Sequence, residues 1–302
     1  MPTVSVVLAT YNGERYLEEQ LLSLLEQTRP ADEVVICDDC STDRTAEIAK
    51  DFIEKHQCKG WCFLCCRENV GFVKNFLRAL SKATGDIVFL CDQDDVWHKE
   101  KIEKMCAFFE DKKDALSLCT ALCPVDKNGE KISVPTPTGT TNLGLVRRVV
   151  AEGESVKITL AECMRSNVSA GCTMALRRPL VQEYVEKSGG KIPHDQELNL
   201  IAAERCGLYF LNLPLTLYRL HENNTLGLKK REQNRADIAR EKYDFASALS
   251  RYGIDYSLMF SLRADALAGK KLFKTAKLIF RKDYRKFFKT REFLGDILYC
   301  LR

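Results

Sequence analysis

The sequence lacks any run of about 18 to 20 uninterrupted apolar residues, the length that a helix needs to cross a lipid bilayer. Integral membrane insertion is therefore not expected. The first residues, MPTVSVVLATYNG, also lack the charged segment and long apolar stretch of a secretory signal peptide. Without an export signal, we expect a cytosolic location, with the 14 cysteines reduced and used as small apolar side chains.

The chain also has little net charge. Its 46 Lys and Arg against 42 Asp and Glu give +4, which is too little for a protein with a general affinity for nucleic acid. The two parts of the chain differ, however. Residues 229–302 contain 19 basic and 9 acidic residues, a local +10, which leaves −6 for residues 1–228. We therefore expect an acidic catalytic domain, 1–228, and a basic extension, 229–302, that faces an anionic partner.

Neither glycine pattern that binds phosphates, G-x-G-x-x-G or G-x-x-x-x-G-K-[ST], is present. Continuous apolar runs alternate instead with segments of helical periodicity, beginning with Val4–Ala9 and then Glu14–Gln27. Four such strand–helix pairs predict an α/β fold with a mostly parallel central sheet flanked by helices. The other three pairs are 33–37 with 43–55, 61–65 with 72–83, and 86–91 with 98–110.

The second half of the sequence has a less regular pattern. It predicts strands at 115–123, 169–176, 208–212 and 215–219, and helices at 179–186 and 195–206. After Lys230 the pattern predicts helices only.

Three carboxylates, Asp92, Asp94 and Asp95, follow the fourth predicted strand. Ligands bind at the carboxyl ends of parallel strands, and such a cluster is costly unless a cation neutralises it. Oxygen ligands favour Mg²⁺ or Mn²⁺, whose open coordination positions a diphosphate can fill. The alternative is that Asp94 or Asp95 caps the following helix.

Two other aspartates, Asp39 and Asp195, lie where a carboxylate could serve in binding or catalysis. Asp39 follows the second strand and can accept the imide N–H of uracil or thymine, while Ser41 or Thr42 is a candidate N-cap of the next helix. Asp195 precedes a helical run and is either an N-cap or a base that takes a proton from an acceptor hydroxyl.

Four cysteines follow the order of a zinc ribbon, Cys37-x2-Cys40 and Cys62-x2-Cys65. We expect this order to be accidental. Cys37 and Cys62 lie within apolar strands, and tetrahedral ligation would disrupt both strands.

Taken in order, several segments resemble the family-2 inverting glycosyltransferases, and among them the bacterial rhamnosyltransferase-like group. These segments, within residues 3–228, are VSVVLATYNGERYLEEQLLSLLEQT, CDDCSTDRT, ENVGFVKNF, GDIVFLCDQDDVW, SAGCTMALRR, HDQELN and YRLHENN. The resemblance implies a GT-A fold. By position it implies nucleoside binding by Thr10, Tyr11 and Asp39, and a D-x-D motif at Asp92 and Asp94 in which Asp95 orients the metal ligand Asp94. It also implies a general base at Asp195 and contacts with the acceptor and donor sugar around Gly171 and Cys172. Arg219 and His221 match positions that contact the diphosphate.

The activity implied is metal-dependent transfer, with inversion, of a sugar from a dTDP- or UDP-sugar to a hydroxyl of a glycan or lipid-linked acceptor in cell-surface polysaccharide synthesis. dTDP-rhamnose is the first candidate donor. Two alternatives stay open: a haloacid-dehalogenase-like phosphatase with Asp92 as nucleophile, because DQDDV fits D-x-D-x-[TV], and a catalytically silent nucleotide-sugar-binding protein.

The basic extension contains an apolar stripe at helical spacing, surrounded by basic residues. The stripe comprises Leu272, Phe273, Ala276, Ile279 and Phe280, and the basic residues are Lys270, Lys271, Lys274, Lys277, Arg281 and Lys282. This composition is typical of a helix that lies on an anionic membrane, here the inner face of the cell membrane. The alternative is a helical hairpin that packs on the catalytic domain. The sequence leaves the oligomeric state open.

Overall fold

The computed structural model describes residues 1–222 and 234–301. The first half follows the predicted alternation closely. Its elements are β1 (Val4–Thr10), α1 (Leu17–Leu25), β2 (Glu33–Asp38), α2 (Thr45–Lys55), β3 (Trp61–Cys65), α3 (Phe72–Leu80) and β4 (Ile87–Asp92). β1 pairs in parallel with both β2 and β4, and β2 pairs in parallel with β3. The carboxyl ends of these four strands therefore meet at one edge of the sheet.

The second half extends the same sheet. It contributes β5 (Val96–Trp97), α4 (Lys101–Asp111), β6 (Ser117–Val125), β7 (Ser155–Lys157), α5 (Leu160–Arg165), β8 (Met174–Arg177), α6 (Arg178–Lys187), α7 (His194–Glu204) and β9 (Leu208–Arg219). In the described part of the chain, nine strands form one sheet in the order β3-β2-β1-β4-β8-β6-β9-β5, with β7 beside β9. The predicted α/β architecture, a central sheet flanked by helices, is confirmed; the sheet is parallel across β1–β4, as predicted, but β5, β7 and β8 pair antiparallel.

β8 is the strand that joins the two halves. It lies antiparallel between β4 and β6, and a 3-10 turn at Gly171–Thr173 precedes it. Because β8 runs against β4, its first residues lie beside the carboxyl end of β4. The two strands predicted at 208–219 form the single strand β9, whose parallel register with β6 shifts near Pro214, a residue with no backbone N–H to donate.

The carboxyl-terminal segment is helical, as predicted, over the residues described. Its helices are α8 (Arg235–Leu249), α9 (Ser257–Ala268), α10 (Leu272–Lys277), α11 (Lys282–Phe287) and α12 (Thr290–Leu301). Phe245, Phe260 and Phe287 are buried in the same apolar core as Leu198 and Ile201 of α7. The carboxyl-terminal helices thus pack against α7 and share its apolar core. The predicted boundary at 228/229 lies outside the described residues.

The predicted apolar stripe is interrupted, because α10 ends at Lys277 and a 3-10 turn spans Leu278–Phe280. Leu278 is buried, whereas Phe273 and Phe280 are 84% and 81% exposed. In residues 1–222 and 234–301, we find no helix with the length and apolar character that crossing a membrane requires.

Candidate active site

The loops after β1 and β2 hold each other through side-chain hydrogen bonds. Thr10 donates its hydroxyl to Asp38 Oδ1 at 2.9 Å, and the backbone N–H of Ser41 donates to Asp38 Oδ2 at 2.8 Å. The Asn12 N–H donates to Ser41 Oγ at 2.9 Å. Asp38 therefore accepts hydrogen bonds from within the two loops, and its neighbour Asp39 is the carboxylate that we assign to recognition of a nucleoside base.

Asp39 is buried and already holds the loop before α3. The backbone N–H groups of Val70 and Gly71 donate to its two carboxylate oxygens, each at 2.8 Å. A carboxylate offers about four acceptor positions, so each oxygen retains one. Gly71 has φ +84°, a conformation that favours glycine.

Gln93, the residue between the D-x-D aspartates, has a role that the sequence did not indicate. Its side chain accepts from the Tyr11 N–H at 2.8 Å and donates to the Tyr11 carbonyl at 2.9 Å. A Cβ on Gly13 would displace the side-chain amide of Gln93, so glycine at this position leaves room for the amide. Gln93 thus ties the nucleoside loop to the carboxylate loop, while the Tyr11 side chain stays half exposed.

The carboxylate loop contacts the end of β9. Asp94 Oδ2 lies 2.8 Å from His221 Nε2. The buried Arg219 donates its Nε–H to the Asp94 carbonyl at 2.8 Å, and its backbone N–H to Asp95 Oδ1 at 3.0 Å. The predicted residues Arg219 and His221 are therefore joined to the D-x-D loop, although about 125 residues separate them in sequence.

The Arg219 guanidinium also contacts Glu19 and Tyr16. Its Nη2 forms an ion pair with Glu19 of α1 at 2.5 Å, and its guanidinium lies over the ring of Tyr16 at 4.7 Å. The ring of Tyr16 lies 5.1 Å from that of His221. Contacts from Tyr16 and Glu19 at the start of helix α1 therefore help to hold Arg219 and His221 in position.

Asp92 and Asp95 form an inner group with Cys172 of the 3-10 turn, and their ligand atoms lie within 4.8 Å of one another. Burial, and then the charges of Asp95, Asp94 and Asp195, raises the pKa of Asp92 well above its usual range. Burial and the charge of Asp94 raise the pKa of Asp95 to about 7. These carboxylates thus repel one another, as the sequence predicted, and Asp195 is close enough to contribute.

Lys101 lies beneath this inner group and is completely buried. Its ammonium donates to the Cys172 carbonyl at 2.5 Å and to the Thr216 hydroxyl at 2.9 Å, and lies 3.7 Å from the centre of the Trp97 ring. Burial lowers the pKa of Lys101 to about 8. Local sequence does not indicate this role, since Lys101 resembles a surface lysine of an amphipathic helix.

Asp195 lies in the first turn of α7 and is buried. Its Oδ2 accepts from Asn167 Nδ2 at 2.6 Å, and its Oδ1 accepts from the Gln196 N–H at 2.8 Å. The preceding residue, His194, stacks on Phe76 at 3.9 Å. A Cβ on Gly171 would lie 2.9 Å from His194 Nε2, which places the Gly171 turn against the start of α7.

The capping alternatives are wrong at all three aspartate loops. Helix α4 begins at Lys101, after β5, so neither Asp94 nor Asp95 is its N-cap. Helix α2 begins at Thr45, whose N–H donates to Asp43, rather than after Ser41 or Thr42. Asp195 lies inside α7, after Pro193 at the N-cap position.

The zinc-ribbon order of cysteines produces no metal group within the residues that the structure describes. Cys37 is buried, whereas Cys62 and Cys65 are exposed. The structure therefore gives no support to ligation by these thiols.

A family model described as "Glycosyl transferase family 2" matches residues 5–184. Among curated relatives, the dTDP-rhamnosyl transferase RfbG of Shigella flexneri is 28% identical over 250 residues, covering 78% of this chain and 80% of the relative. The putative teichuronic acid biosynthesis glycosyltransferase TuaG of Bacillus subtilis is 36% identical over 116 residues, covering 38% of this chain and 45% of the relative. This chain thus matches less than half of TuaG.

Solved structures share the fold. The S. aureus TarS fragment 1–349 in complex with UDP-GlcNAc superposes with a TM-score of 0.60 at 20% identity, covering 99% of this chain and 89% of that chain. The mannosyltransferase PcManGT of Pyrobaculum calidifontis, in complex with GDP-Man and Mn²⁺, gives a TM-score of 0.56 at 18% identity, covering 99% and 86%. The fold confirms the GT-A architecture that the sequence predicted. With a family model matching well over half of its length, the chain belongs to glycosyl transferase family 2 and is a glycosyltransferase.

Proposed function

We propose that this glycosyltransferase moves a sugar from a dTDP- or UDP-sugar to a hydroxyl of a cell-surface glycan or its lipid-linked precursor, with inversion at the anomeric carbon. The observation that carries the proposal is the approach of the predicted base to the carboxylate loop. The turn at Gly171–Thr173 connects the two, because Cys172 groups with Asp92 and Asp95, and a Cβ on Gly171 would lie 3.7 Å from Asp195 Cβ. A direct displacement needs a base and a leaving-group site on opposite sides of the reacting carbon.

The donor nucleotide fits the loops after β1, β2 and β4. Asp39 retains acceptor positions suited to a pyrimidine imide N–H, and Tyr11 of the loop after β1 has a half-exposed ring. Thr10 acts through Asp38, which it holds by a hydrogen bond. RfbG, whose name states a dTDP-rhamnosyl transferase, supports dTDP-rhamnose as the first donor to test.

The residues at the end of β4 also fit a divalent cation, because Asp92, Asp94 and Asp95 lie together there and burial with neighbouring negative charge raises the pKa of Asp92 and Asp95. We propose that Asp94 and His221 hold Mg²⁺ or Mn²⁺ on the outer side of the loop, with Asp92 beside them and Asp95 orienting Arg219. When bound, such an ion neutralises the charge that develops on the departing diphosphate. The structural neighbour PcManGT is in complex with GDP-Man and Mn²⁺.

In the proposed reaction Asp195 takes the proton of the acceptor hydroxyl while the oxygen of that hydroxyl attacks the anomeric carbon. The bond between that carbon and the diphosphate oxygen breaks, and we assign the contacts with the departing diphosphate to Arg219 and His221, which are joined to the D-x-D loop. Asn167 and the Gln196 N–H fix the two oxygens of Asp195. A carboxylate fixed in this way acts as a general base for the acceptor hydroxyl. The displacement is direct, so no covalent bond between enzyme and sugar forms.

Family membership favours this function over a phosphatase with an Asp92 nucleophile, and Asp195 distinguishes an enzyme from a silent binding protein. The test is a screen of purified protein with dTDP-rhamnose, UDP-GlcNAc and GDP-mannose, following sugar transfer and donor hydrolysis, with Asp195→Asn as the control. We expect turnover with a pyrimidine nucleotide and none with the variant. A clear preference for GDP-mannose would exclude the donor assignment, and undiminished turnover by Asp195→Asn would exclude the base.

We further propose that the protein attaches peripherally to an anionic membrane. The packed carboxyl-terminal helices leave Phe273 and Phe280 exposed among basic residues. Aromatic side chains flanked by lysines suit the lipid headgroup region, and a lipid-linked acceptor would lie at the same surface.

A further inference from the structure

Cys172 brings a thiol to the inner carboxylates. Its sulfur and one oxygen each of Asp92 and Asp95 lie within 4.8 Å of one another. Cys172 and Asp95 are buried, whereas Asp92 is half-buried and gives the group its approach from the surface. The pairing of β8 with β4 creates this meeting, since the turn that carries Cys172 immediately precedes β8.

A second observation concerns the hydrogen bonds of Asp95. Its Oδ1 accepts from the Arg219 N–H at 3.0 Å. Its Oδ2 is buried, receives no N–H or O–H donor among the described residues, and faces only the thiol of Cys172. A thiol is a weak donor and buried carboxylate oxygens are normally paired, so a bound cation would satisfy this oxygen better than the thiol does.

The surrounding charge fits a divalent cation as that ligand. Two carboxylates and a thiolate carry three negative charges, and the buried ammonium of Lys101, held on the Cys172 carbonyl, supplies one positive charge. A divalent ion makes the enclosed group neutral. On binding, the thiol loses its proton to solvent, as cysteine ligands do.

We infer that Asp92, Asp95 and Cys172 form a site for a thiophilic divalent cation, Zn²⁺ or Cd²⁺, on the inner side of the Asp94–His221 pair. Sulfur favours such ions over Mg²⁺, which binds oxygen ligands. Three protein ligands leave a coordination position open on the half-buried side of Asp92. The inference does not depend on the proposed donor or acceptor.

The test is a Cd²⁺ titration of the full chain, monitored by the ultraviolet charge-transfer absorption of the Cd²⁺–thiolate bond. Other cysteines contribute background, so the measured quantity is the difference between wild type and Cys172→Ser. Cys119→Ser is the matched control, because Cys119 is equally buried but lies outside the group. We expect Cys172→Ser to lose one equivalent of absorption and the control to retain it, with Zn²⁺ competing for that equivalent.

Asp95→Asn provides a second variant, since asparagine preserves an acceptor for the Arg219 N–H, and we expect at least a tenfold weaker Cd²⁺ affinity. Identical titrations of wild type, Cys172→Ser and Asp95→Asn would overturn the inference. Asp94→Asn separates it from the proposed function. If that variant loses Mn²⁺-dependent nucleotide binding but keeps the Cd²⁺ absorption, the inner site is distinct. If it loses both, a single site exists and the inference is wrong.

Discussion

Asn167 donates a hydrogen bond from its side-chain amide to Oδ2 of Asp195 at 2.6 Å, although 28 residues separate them. The bond orients the carboxylate that we propose as the base. Hydrogen bonds to charged groups contribute about 1.5–3 kcal/mol. We expect Asn167→Ala to lower kcat by about 10- to 100-fold and to leave nucleotide affinity unchanged. Steady-state kinetics with calorimetry of nucleotide binding measures both quantities, and an unchanged kcat would contradict the positioning role.

Nucleotide binding should depend on a divalent cation held at Asp94. Without the cation, the diphosphate meets the negative charge of the carboxylate cluster. We expect excess chelator, or Asp94→Asn with Mn²⁺ present, to weaken dTDP or UDP binding by about tenfold or more, equivalent to about 1.4 kcal/mol. Calorimetry with and without Mn²⁺ checks this. Equal affinities in all three conditions would exclude the metal, and thermal unfolding of the variant controls for lost stability.

The first half of the fold was predictable because its signals are local. Continuous apolar runs such as Val4–Thr10 are recognisable as buried parallel strands wherever they pair. The antiparallel insertion of β8 was not predictable, since its partners lie far away in sequence. The short helix α5 was also missed, although Thr159 and Glu162 form a capping box that the sequence displays.

In the candidate site, too, residues with a local sequence signal were predictable and residues that act through long-range contacts were not. The carboxylates of the D-x-D loop and Asp195 follow motif order, so the sequence indicated them. Gln93, Asn167 and Lys101 act through tertiary contacts, and nothing in their local sequence distinguishes them from solvent-exposed residues.

Acid should destabilise the protein partly through His194. Burial lowers the pKa of His194 from 6.5 to about 4. Between these values the unfolded chain binds a proton that the folded protein excludes, so this contribution to stability is complete above pH 6.5 and is lost as the pH falls to about 4. The loss amounts to about 3 kcal/mol at most.

We therefore expect the free energy of unfolding of wild type, relative to His194→Phe, to decrease as the pH falls from 6.5 to 4. Urea unfolding of both proteins across this range measures the difference, which cancels the other titrating groups. Parallel pH profiles would show that the buried imidazole does not titrate as expected. Only the slope is compared, because the two rings differ in packing.

Two phenylalanines of the carboxyl-terminal helices should differ sharply in their contribution to stability. Phe260 is completely buried in the shared core, whereas Phe273 is 84% exposed. We expect Phe260→Ala to lower the free energy of unfolding by about 3–5 kcal/mol, and Phe273→Ala to change it by less than about 0.5 kcal/mol. Denaturant unfolding of both variants checks this, and a small effect at Phe260 would mean that the helices do not stabilise the catalytic domain.

Membrane attachment should depend on Phe273 and Phe280. Truncation would remove part of the core, so point substitutions are the appropriate test. Each basic residue near an anionic surface contributes about 1 kcal/mol, and salt weakens this attraction. We expect wild type to co-sediment with phosphatidylglycerol vesicles at low salt, and not with phosphatidylcholine vesicles. Phe273→Ser with Phe280→Ser should reduce this binding about tenfold or more.

The matched control for that experiment is the double variant Leu294→Ser with Leu298→Ser. These leucines of α12 are 53% and 57% exposed, so they present apolar surface on a different helix. If membrane contact is made through the exposed phenylalanines and the surrounding lysines, the control binds like wild type. Equal losses in both double variants would indicate general apolar adhesion, and no binding of wild type to anionic vesicles at low salt would remove the membrane proposal while leaving the transferase reaction intact.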